Sequence, residues 1–373
     1  MTIGIDASRA NRKRKTGVEW YGYELINALK NIPLADNDIV LYSDSKLNDN
    51  LVQLPKNWIS SILKWPLNRL WTVVRLSYEM LVRSPSLLFV PSHILPFIIP
   101  KYSVVTLHDI GFVRHPGFYS TLALFYHKFS AKLVIKRASK IIAPSEFTKT
   151  ELVEFYKCAP NKIIVIPHGI NWDQKIISDH ARQRVLNKYS LTQPYLFYIG
   201  RLERKKNIVG LIEAFNILVK DYPFIDLVLV GPFGYGYNEI INLIKKYKLY
   251  GRVKILGFTD QDDVDILFGS ADMFIFPSFY EGFGMPLLEA MQHGIPVIAS
   301  DIPACREVAG DAAIFVDPYN YTALSEAIKK LLLDESLRRC MVERGGQRVK
   351  KYSWGKCALE TYKVLNLSLN NFR

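Results

Sequence analysis

Short apolar runs ending in Gly, Pro, Ser or His, each followed by a longer stretch of helical periodicity, recur six times in each half of this chain. A parallel neighbour can be reached only by a connection long enough to hold a helix, so this alternation predicts parallel sheets with crossover helices. In the first half the predicted strands are Ile3–Asp6, Ile39–Ser43, Leu87–Val90, Ser103–His108, Lys140–Pro144 and Ile163–Pro167, with helices such as Glu19–Leu29 and Leu122–Arg137 between them. In the second half they are Tyr195–Gly200, Ile225–Val230, Val253–Gly257, Met273–Pro277, Val297–Ser300 and Ala313–Val316. The stretch from Asn171 to Gln193 is polar and irregular, and Pro194 opens the second half. The predicted fold class is α/β, with two Rossmann-like, doubly wound parallel-sheet domains facing a cleft, residues 1–185 and 186–354. Ligands of open parallel sheets bind beyond the carboxyl ends of the strands, so the turns there are where chemistry is sought.

Composition narrows the partners. A net charge of +13 suits nucleic acid, an anionic membrane surface or phosphorylated small molecules. Four widely spaced cysteines suggest neither a zinc site nor a disulfide framework, which fits a reducing cytoplasm. The chain opens on an alternating strand instead of a charged and apolar leader, and its richest apolar stretch, Leu87–Ile99, is broken by Pro91, Ser92, His93 and Pro96. A cytoplasmic protein is expected. The segment Lys56–Arg83 carries Trp58, Lys64, Trp65, Arg69, Trp71, Arg75 and Arg83 with Glu79 as its sole acid. It reads either as a basic helix touching the inner face of an anionic membrane or as a helix with a solvated basic face.

The most informative stretch is Pro277-Ser-Phe-Tyr-Glu281-Gly-Phe-Gly284-Met-Pro286-Leu-Leu-Glu289-Ala-Met. A strand ends at Pro277, a glycine-bearing loop follows, and Pro286 fits the opening of a helix whose C-cap is Gly294. Free amides and the dipole make a helix N-terminus an anion site, and Gly282 and Gly284 allow a phosphate close to the backbone. Glu281 in the loop and Glu289 one turn into the helix suit sugar or ribose hydroxyls, since each carboxylate accepts charge-assisted hydrogen bonds. Glu289 also interrupts the apolar run Met285, Leu287, Leu288, Ala290, Met291, where an unpartnered acid is costly. A second element, Tyr195–Gly200 followed by Arg201-Leu-Glu-Arg-Lys-Lys206-Asn207, ends a strand in a basic turn able to neutralise a diphosphate leaving group.

The Glu281–Glu289 spacing in this context resembles the signature of the retaining GT4 glycosyltransferases, which have the GT-B fold. The resemblance extends over essentially the whole chain. It implies that Glu281 contacts the transferred sugar and Glu289 the ribose, with Phe283, Gly284, Met285 and Leu287 in the donor site. Gly200-Arg201-Leu and Lys206-Asn207 are similar to the family's diphosphate-binding element, which gives that role to Arg201 and Lys206. Thr16-Gly17-Val18-Glu19 resembles the glycine loop near donor and acceptor, with one glycine where the family often has two. Val104-Val-Thr-Leu-His108-Asp109 resembles the strand that delivers a histidine to the reaction centre. Gly257 and Phe258 are the implied seat of the base. Ala143–Phe147 and Ile166–Ile170 look like landmarks closing the first domain, though the family more often has asparagine where His168 stands. Tyr352-Ser-Trp354 resembles the point where GT-B chains cross back, so a C-terminal helix over 355–373 is expected to complete the first domain.

These likenesses imply transfer of a hexose, with mannose favoured, from a nucleoside diphosphate sugar to a glycan or lipid-linked glycan, with retention and without a metal or other cofactor. Asp260-Gln261-Asp262 has the spacing of a metal-binding Asp-x-Asp, but it leads directly into an apolar helix, so Thr259 or Asp260 reads as its N-cap. The alternatives are a sugar-nucleotide epimerase on the same fold and a non-enzymatic basic binding protein. No nucleic-acid recognition module and no Gly-x-Gly-x-x-Gly after either first strand support other classes.

Overall fold

Each of the twelve apolar runs forms a strand, and a thirteenth joins them. The computed structural model describes residues 1–33, 37–67, 70–171 and 177–370. One sheet holds β1 (Thr2–Asp6), β2 (Asp38–Ser43), β3 (Trp58–Ile62), β4 (Leu87–Val90), β5 (Tyr102–Thr106), β6 (Lys140–Ala143) and β7 (Ile163–Val165), in the order β3-β2-β1-β4-β5-β6-β7. The other holds β8 (Tyr195–Ile199), β9 (Asp226–Val230), β10 (Val253–Gly257), β11 (Met273–Phe276), β12 (Val297–Ser300) and β13 (Ile314–Val316), in the order β10-β9-β8-β11-β12-β13. All pairings are parallel. In both sheets the strand order reverses beside the first strand, between β1 and β4 and between β8 and β11, which is where a doubly wound sheet opens a crevice.

Strands covered on both faces must be apolar at every position, which is why Leu87–Val90 and Met273–Phe276 are buried throughout. Among the crossover and flanking helices are α1 (Gly17–Leu29), α2 (Leu76–Val82), α3 (Thr121–Arg137), α4 (Asp179–Lys188), α5 (Ile208–Leu218), α6 (Gln261–Ser270), α7 (Met285–Gln292) and α8 (Trp354–Asn370).

The chain divides into two units. The first comprises Met1–Arg114, Thr121–Gly169 and the C-terminal stretch from Tyr352; the second comprises His115–Ser120 and Ile170–Lys351. The division therefore falls after Gly169, earlier than the sequence suggests. The reason is α4: Lys188 Nζ and Tyr189 Oη both bind Asp263 Oδ2 (2.5 and 2.8 Å), tying that helix to α6 of the second unit. In the first unit the returning chain passes against Gly169 so closely that a Cβ there would stand 2.2 Å from the Trp354 nitrogen. From that junction α8 packs on α1, with Trp354 6.0 Å from the Tyr21 ring.

One expectation is overturned. Lys56–Arg83 is not a single helix: it holds β3, paired in register with β2, and its described helical part runs from Trp71. Two of its tryptophans face inward. Trp58 and Trp71 are buried, and the Trp71 indole donates to Leu63 O (2.8 Å), because a large amphipathic ring gains more under a sheet edge than in water. Arg69 lies outside the described residues. No described helix is long and apolar enough to cross a membrane.

Candidate active site

At the carboxyl end of β8 the chain turns through Gly200 and Arg201 into a basic 3-10 turn, Arg204–Lys206. Asn207 takes a left-handed conformation and caps α5, its Oδ1 accepting from the Gly210 amide (3.1 Å). Its Nδ2 donates to Pro318 O (2.7 Å), so the turn is fixed at both ends. The neighbouring loop after β11 is joined to it where the Phe279 amide donates to Lys205 O (3.0 Å).

That join brings Lys206 onto Glu281. Lys206 Nζ lies 2.5 Å from Glu281 Oε1, and the buried Ser278 hydroxyl donates to the same oxygen (2.6 Å). Oε1 therefore carries both partners, while Oε2 meets no hydrogen-bond partner among the described residues. With Lys206 and Glu281 largely shielded from water, their attraction is stronger than that of a surface pair. Arg201 is exposed instead, its Nε 3.8 Å from Glu203 Oε2. Arg204, the first residue of the basic turn, is bound by Glu239.

The loop then opens α7. Gly284 is its N-cap at φ 102°, a left-handed conformation that strains any residue with a Cβ. Pro286 has no amide, and the Leu287 amide is used by Gly284 O (3.0 Å). The amides of Gly284 and Met285 have no partner among the described residues and mark the anion-accepting end. Leu287 turns its side chain into the core and Phe283 is buried, so neither offers a polar group from its side chain.

The side chain of Glu289, one turn into α7, has no hydrogen bond or ion pair among the described residues. Part of its surface remains exposed, yet burial of the carboxyl, with Asp265 adding repulsion, pushes its pKa up to about 7. A carboxylate held this way lacks its partner, which matches the cost foreseen from its place in an apolar run. On the same sheet edge Gly257 ends β10 with open space where a Cβ would be, followed by the partly exposed ring of Phe258. Asp260 occupies the N-cap of α6 without a side-chain cap bond, and Asp262 and Asp263 complement the first turn. No cluster of three or more metal-ligating side chains occurs among the described residues.

In the first unit His108 lies two residues beyond the end of β5. Its Nε2 lies 3.3 Å from Pro91 O, and its ring meets Tyr21 edge-on at 4.7 Å. Burial pushes its pKa down to about 4, and that of nearby His93 to about 3. Both are neutral at pH 7. His168 stacks near Tyr21 and Trp354, which makes it part of the junction between α1 and α8. Gly17 is the first residue of α1, exposed, behind a capping box in which Glu19 accepts from the Thr16 amide (3.1 Å). Glu19 also binds Arg9 (3.2 Å). Sequence reasoning had passed over Arg9 and Ser278. Ser278 lay inside the quoted motif, three residues before Glu281, but only the folded loop shows the two side chains meeting.

The chain is similar to known proteins. A family model described as glycosyl transferases group 1 matches residues 181–348, and one described as glycosyltransferase family 4 matches residues 15–174. The O-antigen chain mannosyltransferase B of Escherichia coli is 32% identical over 283 residues, covering 74% of this chain and 73% of that protein. The O-antigen chain mannosyltransferase RfbU of Salmonella typhimurium is 26% identical, covering 86% of this chain and 88% of that one. Among solved structures, Anabaena HepE in complex with UDP-glucose superposes with a TM-score of 0.76 at 17% identity, covering 98% and 99% of the two chains, a likeness of fold. With two parallel-sheet units, both family models and these relatives in agreement, the chain belongs to the GT4-type glycosyltransferases and is a glycosyltransferase of the GT-B fold.

Proposed function

We propose that this glycosyltransferase moves a hexose, mannose first among candidates, from a nucleoside diphosphate sugar to a hydroxyl of a glycan or lipid-linked glycan, keeping the anomeric configuration and using no metal. The observation that carries the reading is the conjunction in the second unit of two unpartnered helix amides, a lysine–glutamate pair and an unpartnered second glutamate. The amides of Gly284 and Met285 with Lys206 and Arg201 take the diphosphate, Glu289 the ribose, and Glu281 Oε2 a hexose hydroxyl.

Glu281 is poorly disposed to act as a nucleophile, since Lys206 and Ser278 already draw on its charge. A route in which the acceptor attacks on the face the leaving group departs from, with the leaving phosphate taking the acceptor proton, fits these commitments better than a glycosyl-enzyme. Lys206 and Arg201 stabilise the growing negative charge. His108, neutral at working pH, orients the transferred sugar or the acceptor by hydrogen bonding. The names of the mannosyltransferase relatives support mannose, and with it the polysaccharide class of acceptor. The first unit works against an anionic membrane that carries the acceptor.

The test is a thermal-shift panel of nucleotide sugars followed by mass analysis of products with a mannose-terminated acceptor. GDP-mannose is expected to give the largest shift, a few kcal/mol at about a hundred to a thousand times its dissociation constant, and a product heavier by one hexose. An isomerised donor with no acceptor gain establishes the epimerase instead.

A further inference from the structure

With Trp58 and Trp71 turned inward, they cannot be what meets a membrane. The first unit instead exposes large side chains on three adjoining pieces. On α3, Leu122, Phe125 and Phe129 are 84%, 73% and 45% exposed, and their spacing puts them on one face of the helix. Val74, Tyr78 and Leu81, in the π-helical turn Trp71–Arg75 and α2, form a second exposed stripe. Phe97 and Ile98 bridge the two. The Phe97 and Ile98 amides donate to Ser77 Oγ (2.7 and 3.3 Å), the Phe97 ring stands 6.3 Å edge-on to Phe129, and Arg137 donates to Phe97 O. An apolar surface of this continuity is unusual on a protein that leaves it in water.

Charge identifies the occupant. From Met80 to Ser145 the chain has eight lysines and arginines and one acid, Asp109. On α3, which has no acid, the exposed Lys128, Lys132 and Lys136 fall at four-residue intervals within the same arc as the apolar side chains. Apolar residues that enter the acyl boundary, interleaved with cations at headgroup level, fit anionic phospholipid. A two-fold pairing with a second copy of this chain would set one lysine row against another.

We propose that this face, and α3 above all, docks the enzyme on an anionic phospholipid membrane. The proposal rests on the reading that the first unit works at a membrane, and it moves the contact from the tryptophans of residues 56–83 to α3, α2 and the Phe97 loop.

Flotation of the full chain with phosphatidylcholine vesicles, with and without phosphatidylglycerol, tests it. The wild type is expected to float with the anionic vesicles only, and less at high salt. The triple variant Leu122→Ser/Phe125→Ser/Phe129→Ser should bind about tenfold more weakly or worse, and Lys128→Glu/Lys132→Glu/Lys136→Glu should lose its preference for phosphatidylglycerol. Both should keep the wild-type donor thermal shift, which shows that they fold. Wild type that ignores phosphatidylglycerol vesicles overturns the membrane reading altogether. Wild type that binds alongside a triple variant that binds equally overturns only this face. A concentration-dependent dimer in light scattering that the triple variant abolishes, without vesicle binding, assigns the face to a second copy and also overturns the proposal.

Discussion

The strand ends of the two units handle ionisable groups in opposite ways. In the first, burial keeps His108 and His93 uncharged, with pKa values of about 4 and 3, and His108 is ringed by Tyr21 and His168. In the second, opposite charges are brought together: Lys206 and Glu281 meet at 2.5 Å, and among the described residues two helix amides and the Glu289 side chain have no partner. Under the proposed function, each arrangement suits what that end would hold. A diphosphate needs cations and oriented dipoles, whereas a neutral imidazole can hydrogen-bond a saccharide hydroxyl without drawing in a counter-ion.

The comparison breaks first at Lys206. Lys206→Ala should lower kcat at saturating donor by about 10²–10³, as removal of an oxyanion donor does. It should also lower Tm, because Glu281 is left buried with Ser278 alone. The double variant Lys206→Met/Glu281→Gln should recover Tm and not kcat; near-normal turnover in either variant removes the diphosphate role.

His108→Ala should reduce kcat on the order of 10²-fold while leaving donor affinity nearly intact. The same substitution bears on acid stability. A histidine kept neutral to pH 4 in the folded state binds protons more readily when unfolded, so stability falls as pH drops below about 6.5. His108→Ala should flatten that decline in urea titrations between pH 7 and pH 5.

Glu289 has the reverse sign. Its folded pKa of about 7 lies above the ordinary 4.5, so the folded state holds the proton longer and stability declines as pH rises from about 4.5 through 7. Glu289→Gln should therefore stabilise the ligand-free protein at pH 8 by about 1–3 kcal/mol. Donor affinity should fall about tenfold at pH 8, and less at pH 6 where the wild-type carboxyl is largely protonated. Calorimetric titration at both pH values decides it, and equal affinities would free Glu289 from the donor.

The smallest effect is expected at Ser278. Ser278→Ala removes one bond to Glu281 Oε1 and should change kcat/KM a few-fold, with Ser278→Thr restoring part of it. No change would reduce Ser278 to packing.

Much of this was legible beforehand because parallel strands buried on both faces leave uninterrupted apolar runs; all twelve that were read form strands. β3 was missed: Trp58-Ile-Ser-Ser-Ile62 is short, and its tryptophan and flanking lysines imitate an interfacial helix. The loop Pro277–Gly284 and the helix at Pro286 could be read from proline and glycine alone. That Leu287 has no free amide, and that Arg201 points to Glu203 while Lys206 reaches Glu281, could not.

The sequence by itself determined two α/β units, the parallel order of travel and the glycine-bearing turns, because periodicity and backbone permissiveness are local properties. Tertiary structure alone decided which oxygen of Glu281 is occupied, that the Glu289 side chain has no partner among the described residues and a pKa of about 7, and that Phe97 touches both Ser77 of α2 and Phe129 of α3. Those outcomes depend on side chains far apart in the chain, and on the water that packing removes from between them.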